Sequence, residues 1–188
     1  LAGSSAASDV YKRQPRRIVT GIDEEGNSII QSNKVLDPSI ELGDNAFIEL
    51  WQTDNEALDR KNFKEASNAE VKLSPERDGT KIRYFQLPPI NKDITTEEME
   101  SFYSLAFETI NASHERTNIK KHPGMHLTNS IDYIVLLKGK VRLILDNDEI
   151  SLNPLDVVIQ RGTSHAWSVI GTEPALLLAV LIDKRFSN

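Results

Sequence analysis

Residues 122–165 read HPGMHLTNSIDYIVLLKGKVRLILDNDEISLNPLDVVIQRGTSH, and this stretch decides the fold. His126, Thr128 and Asp132 stand at even-numbered positions. In an extended segment, side chains of one parity share a face, so these three point together. Two apolar runs follow, Ile134 to Leu137 and Val141 to Leu145, with Gly139 between them. The second run ends at a polar turn, Asp146-Asn147-Asp148. After Pro154 and Asp156 comes a further strand-like run, Val157 to Gln160, then an Arg161-Gly162-Thr163 corner and His165. The pattern predicts a hairpin between two polar corners that returns His165 towards His126.

Upstream, Arg16 to Ile22 and Ser28 to Gln31 read as a hairpin about the turn Asp23 to Asn27. Ala46 to Gln52 is the next strand, anchored by Phe47 and Trp51, and the charged segment Asp54 to Ala69 reads as a surface excursion with a helical turn. Ala69 to Leu73 and Lys81 to Leu87 are expected to pair across the Pro75 to Gly79 turn, and Pro88-Pro89 ends that ladder. Thr95 to Ile110 is the one clear helix. Thr95 and Glu98 form a capping box, and Met99, Phe102, Tyr103, Ala106, Phe107 and Ile110 lie on a single stripe. Such a stripe must dock on apolar surface. The linker Asn111 to Lys121 has no stripe and carries several charges, so it reads as a mobile lid over the strand that holds His126.

Composition excludes several chemistries. The chain has 188 residues, no cysteine and a formal net charge of −6. Its length suits one domain with a core of its own. Disulfides, thiolate metal sites and cysteine nucleophiles are ruled out. The acidic balance, with no basic stripe, argues against nucleic acid, and no apolar run approaches the ~20 residues of a membrane span. The expectation is a soluble, cytoplasmic protein. Leu1 to Gln14 carries neither a signal-peptide core nor an amphipathic pattern, and is set aside as a disordered tail or the translation of a sequencing-adapter read. Residues 15–188 then form the single domain. No glycine-rich phosphate loop, Gly-x-Ser-x-Gly elbow or HExxH motif is present.

The layout resembles the cupin superfamily: His126, Asp132 and Gly139 match its first motif, and Pro154, Asp156, Gly162 and His165 its second. HLTNSIDY followed by DVVIQRGTSHAW looks like a bacterial and fungal branch of single-domain cupins with no settled activity. The resemblance implies an all-β fold, an antiparallel jelly-roll (double-stranded β-helix) barrel, with the helix as an insertion. Three positions depart from the family pattern. Thr128 replaces the second histidine of the first motif, Asp132 replaces its glutamate, and Leu155 occupies the glycine slot of the Pro-x-Gly-Asp corner.

The resemblance also implies that His126, Asp132 and His165 face the barrel interior as catalytic residues and ligands of a divalent metal such as Fe, Mn, Zn or Ni. Thr128, Gln160 and Arg161 would contact substrate, with Arg161 able to meet a carboxylate bidentately. Tyr133 and Trp167, read as out of phase with Asp132 and His165, are expected on the other side of the sheet. His114 and His122 are expected at the surface. A metal-dependent enzyme on a small oxygenated molecule would perform oxygenation, isomerisation or decarboxylation. The alternative is a metal-free small-molecule-binding or sensor barrel without catalysis. The family resemblance further implies a homodimer, for which the amino-terminal hairpin offers an unpaired edge.

Overall fold

A computed structural model of the chain describes residues 15–63, 65, 70–91 and 93–186. Leu1 to Gln14 lie outside the described residues. The order of elements is β1 (Arg16–Ile22), β2 (Ser28–Val35), β3 (Ile40–Leu42), β4 (Asn45–Thr53), β5 (Thr80–Leu87), α1 (Thr96–Thr109), β6 (Ser130–Lys138), β7 (Val141–Leu145), β8 (Glu149–Leu152), β9 (Val157–Arg161), β10 (His165–Val169) and β11 (Ala175–Asp183). Every pairing is antiparallel. One sheet runs β3-β4-β5-β11-β6-β9, a second runs β10-β7-β8, and β1-β2 stand apart as a hairpin. The two larger sheets face each other in a jelly roll whose ladders stay open at the edges.

Strand β11 is central because both of its faces are apolar. Ala175, Leu177, Ala179 and Leu181 are buried inward, while Leu176, Leu178 and Val180 are only half-buried on the other side. Leu136 and Leu177, with no exposed surface, meet Val141, Leu143 and Trp167 of the opposite sheet. Each such side chain contributes about 1.5–3 kcal/mol. The expected pairing of Ala69 to Leu73 with β5 does not form. Strands β4 and β11 already take both edges of β5, and described residues 70–73 carry no strand. Residue 69 lies outside the described residues, as do 64 and 66–68 of the excursion; its described part, 54–63 and 65, contains no helix.

Two backbone positions fix the corners. Gly139 has φ +84°, and a Cβ there would come within 2.7 Å of Ala175 Cα and of the Pro174 carbonyl oxygen. Leu155, in the altered glycine slot, also adopts the left-handed region at φ 76°, but its side chain is 79 % exposed. Gly139→Ala is expected to cost ~1–3 kcal/mol from backbone strain alone, with the clash in addition. Thermal unfolding checks it; an unchanged midpoint would refute the account.

Helix α1 starts at the expected box: Thr95 Oγ1 accepts from the Glu98 amide at 3.1 Å and Glu98 Oε2 from the Thr95 amide at 2.8 Å. Its inner stripe, Tyr103, Phe107 and Ile110, packs on Ile40, Phe47 and Leu73 across one end of the barrel. Asn111, at φ 51°, ends the helix. The linker after it makes contacts that its charges alone do not predict. Arg116 Nη2 binds both oxygens of Glu100 at 2.8 Å, Thr117 Oγ1 meets Ser164 Oγ at 2.7 Å, and Asn118 Nδ2 donates to Asp146 at 2.9 Å. The Leu127 amide donates to the Glu115 carbonyl at 2.9 Å. Charge put these side chains on the surface, yet their partners hold the segment down. Among the described residues no helix is long and apolar enough to cross a membrane.

Candidate functional site

His126 and His165 sit side by side because their backbones pair. Each amide donates to the other residue's carbonyl at 2.9 Å, and the ring centroids stand 4.2 Å apart. His126 Nδ1 lies 2.9 Å from the Gly124 carbonyl and His165 Nδ1 lies 2.9 Å from that of Thr163. A carbonyl only accepts, so Nδ1 carries the proton and Nε2 keeps its lone pair in each neutral ring. Burial holds His126 below the ordinary imidazole range. His165 is pushed down to about 3, first by burial and then by the neighbouring His126. Both rings are neutral at pH 7.

Both line a cavity of about 150 Å³ at the end of the barrel that α1 covers. Its wall is mainly apolar and includes Phe47, Phe85, Phe102, Phe107 and Trp167. Thr128 and Asp132 reach the same cavity, as their shared parity with His126 predicts. Ser130 Oγ bridges them, 2.8 Å from Thr128 Oγ1 and 2.6 Å from Asp132 Oδ1, so the Thr128 hydroxyl is already engaged. Asp132 is pushed up to about 6 by burial, against the pull of Ser130 and of Arg83.

Arg83 is the residue that motif reading missed. It lines the cavity and is only 2 % exposed. Its guanidinium lies 4.9 Å over the Phe47 ring, and Nη2 stands 2.9 Å from Glu49 Oε1 and also donates to the Lys72 carbonyl. Arg83 Nε has no acceptor. The signal was present in TKIRYFQL, where Lys81, Arg83 and Phe85 share the inward parity.

Of the other expectations, those for Tyr133 and His114 agree with the structure and the rest change. Trp167 faces the cavity, since two residues from His165 is the same face of β10, whereas Tyr133, 40 % exposed, faces outward. Arg161 is exposed and opposite Ile131, away from the cavity. Gln160 is buried but spends its amide on the Thr163 carbonyl and hydroxyl, bracing the corner before His165. His122 is half-buried: its Nδ1 accepts from the Gly124 amide at 3.0 Å and its ring leans on Tyr103. His114 is exposed.

The three-residue metal set does not close. Among the described residues no three of His, Asp and Glu gather where one ion could meet them all. Asp132 Oδ1 accepts from Ser130, and the carboxyl lies in the field of Arg83.

No family model matches the chain. The chain is 27 % identical over 176 residues to the cupin-domain-containing oxidoreductase fogC of Aspergillus ruber, covering 89 % of this chain and 71 % of that protein. It is 38 % identical over 63 residues to the cupin-domain-containing oxidoreductase virC of Hypocrea virens, covering 31 % and 32 %. Among solved structures, the Cnp3 cupin domain of Schizosaccharomyces pombe aligns over 94 % of this chain and 88 % of its own, with 14 % identity and a TM-score of 0.44. With both motif histidines paired at the end of a jelly roll, the chain has the single-domain cupin fold, and over most of its length it is similar to a cupin-domain-containing oxidoreductase.

Proposed function

We propose that the barrel cavity is the catalytic pocket of an enzyme acting on a small, largely apolar molecule, with His126, His165 and Asp132 at its reacting end. One observation supports this above the rest. Two neutral imidazoles with free Nε2 lone pairs share an otherwise apolar cavity with a carboxyl that titrates near about 6. A carboxyl close to the working pH can give and take a proton, and the imidazoles can accept one from a bound hydroxyl. Thr128 and Ser130 position Asp132. The apolar wall and α1 exclude water from the reacting group. The names of the fungal relatives make oxidation or reduction the first reaction class to test.

A thermal-shift screen of small apolar alcohols and carbonyl compounds, followed by turnover assays on the hits, tests this reading. His126→Gln and His165→Gln are expected to lower kcat by roughly 10²–10⁴-fold while leaving the far-ultraviolet spectrum intact. Hits that bind the wild type without turnover would make the chain a binding or sensing barrel instead. Protein purified without a histidine tag is expected to hold well under one divalent ion per chain. Stoichiometric metal, lost in His126→Ala and His165→Ala, would reinstate the three-residue site.

The reading includes a homodimer. The outward face of the six-stranded sheet is apolar across neighbouring strands: Val180, Tyr133 and Ile159 share one row, and Leu178, Val135 and Val157 the next. Tyr133, Val157 and Ile159 are 40–58 % exposed. A continuous apolar face of this kind suits a second copy of itself better than water does. Light scattering at micromolar concentration should give about twice the 21.1 kDa chain mass, and Ile159→Glu should return it to one. A wild-type monomer would count against the dimer.

A further inference from the structure

We infer that the cavity selects an uncharged ligand, and that Arg83 is the specificity-determining residue, donating from Nε to the ligand's carbonyl oxygen. This rests on the cavity being a small-molecule pocket, and adds which molecules it admits.

The first support is an unmet donor. Arg83 is 2 % exposed, lines the cavity, and its Nε–H has no acceptor. A buried donor left unpaired is costly, and a cationic donor more so, which makes an oxygen placed beside it a strong partner. The cavity wall is mainly apolar, with Phe47 stacked on the guanidinium, so a ligand oxygen seated there would give Nε its partner.

The second support is the charge around Arg83. Lone cations in pockets usually read as carboxylate anchors, but this one is not alone. Glu49 stands 2.9 Å away, and the charges of Asp132 and Glu115 also act on Arg83. Lys81, 3 % exposed, is the nearby second cation, and its Nζ is spent on the Lys72 carbonyl. Three carboxyl groups therefore act on Arg83, and Glu49 already occupies its Nη2. An incoming anion would compete with Glu49 and repel Asp132. A ketone, aldehyde or amide oxygen accepts the Nε–H with no net charge to bury.

Three probes of one size separate the possibilities: cyclohexyl methyl ketone, cyclohexanecarboxylate and ethylcyclohexane, titrated at pH 7.5 and followed by histidine and tryptophan side-chain NMR. The ketone is expected to bind at least about tenfold tighter than either of the others. Arg83→Met should bring the ketone down to the hydrocarbon. Should that variant fail to fold, Glu49→Gln serves, because removing one carboxylate leaves Arg83 under-compensated. It should tighten carboxylate binding about tenfold and leave the ketone nearly unchanged. A wild type that prefers the carboxylate, or a Glu49→Gln protein with unaltered preference, overturns the inference while keeping the cavity as a ligand site. Binding of none of the three defeats the inference and the pocket reading together.

Discussion

Arg83→Met is expected to destabilise the domain by about 3–5 kcal/mol, because it strands Glu49 as a buried carboxylate without its cation. The Glu49 side chain is 10 % exposed and Arg83 is its ion-pair partner, on the facing position of the neighbouring strand. The cost belongs to the orphaned charge and not to a net attraction, since burying both ions already forfeits their hydration. The double change Arg83→Met with Glu49→Leu should therefore recover most of the loss. Urea denaturation of wild type, both single variants and the double variant gives the full cycle. A loss under about 1 kcal/mol in Arg83→Met would mean that water reaches the pair.

Acid is expected to unfold the protein through its buried histidines, with Asp132 opposing. His165 falls from the ordinary 6.5 to about 3 on folding, so its contribution is intact above pH 6.5 and is lost progressively towards pH 3. Linkage at about 1.4 kcal/mol per pH unit makes that ~3 kcal/mol between pH 7 and pH 4. His126 and His122, also lowered by burial, add loss of the same sign. Asp132 runs the other way. Its folded value of about 6 lies above the ordinary 3.8, so its contribution is fully present below pH 3.8 and lost as pH rises through about 6. Acidification thus returns about 2 kcal/mol at this site. The difference in urea stability between pH 7 and pH 4 should shrink in His165→Gln and grow in Asp132→Asn. Equal pH dependence in all three proteins would show that these groups are solvated.

The pairing of His126 with His165 was legible because two corners of fixed residue type bracket strands of alternating burial, and the register follows from them. Asp132 and Thr128 were placed by the same parity. What spacing could not carry is the local partner of Asp132: Ser130, on its own face two residues before it, donates to Oδ1. Arg83 escaped notice because it lies on β5, far from the motifs in sequence, and only the β5-β11-β6 register brings it near Asp132. The linker's contacts were not legible because charge composition predicts exposure, not partners. Arg116, its side chain 12 % exposed, binds Glu100, and Lys121 binds Glu149.

The two left-handed corners differ in how freely evolution could rewrite them. At Gly139 the space for a side chain is filled by the backbone of Pro174 and Ala175, so no residue with a Cβ fits without moving β11. At Leu155 the side chain projects into water, and the turn is pinned from outside by its amide on the Leu136 carbonyl at 2.7 Å. There a non-glycine residue costs only ~1–2 kcal/mol of local strain. A glycine in a family signature can thus record either an obstruction or a mere preference, and drift erases only the second. The departure at Leu155 leaves the corner's shape intact, and it is a poor guide to whether the chemistry of the barrel has changed.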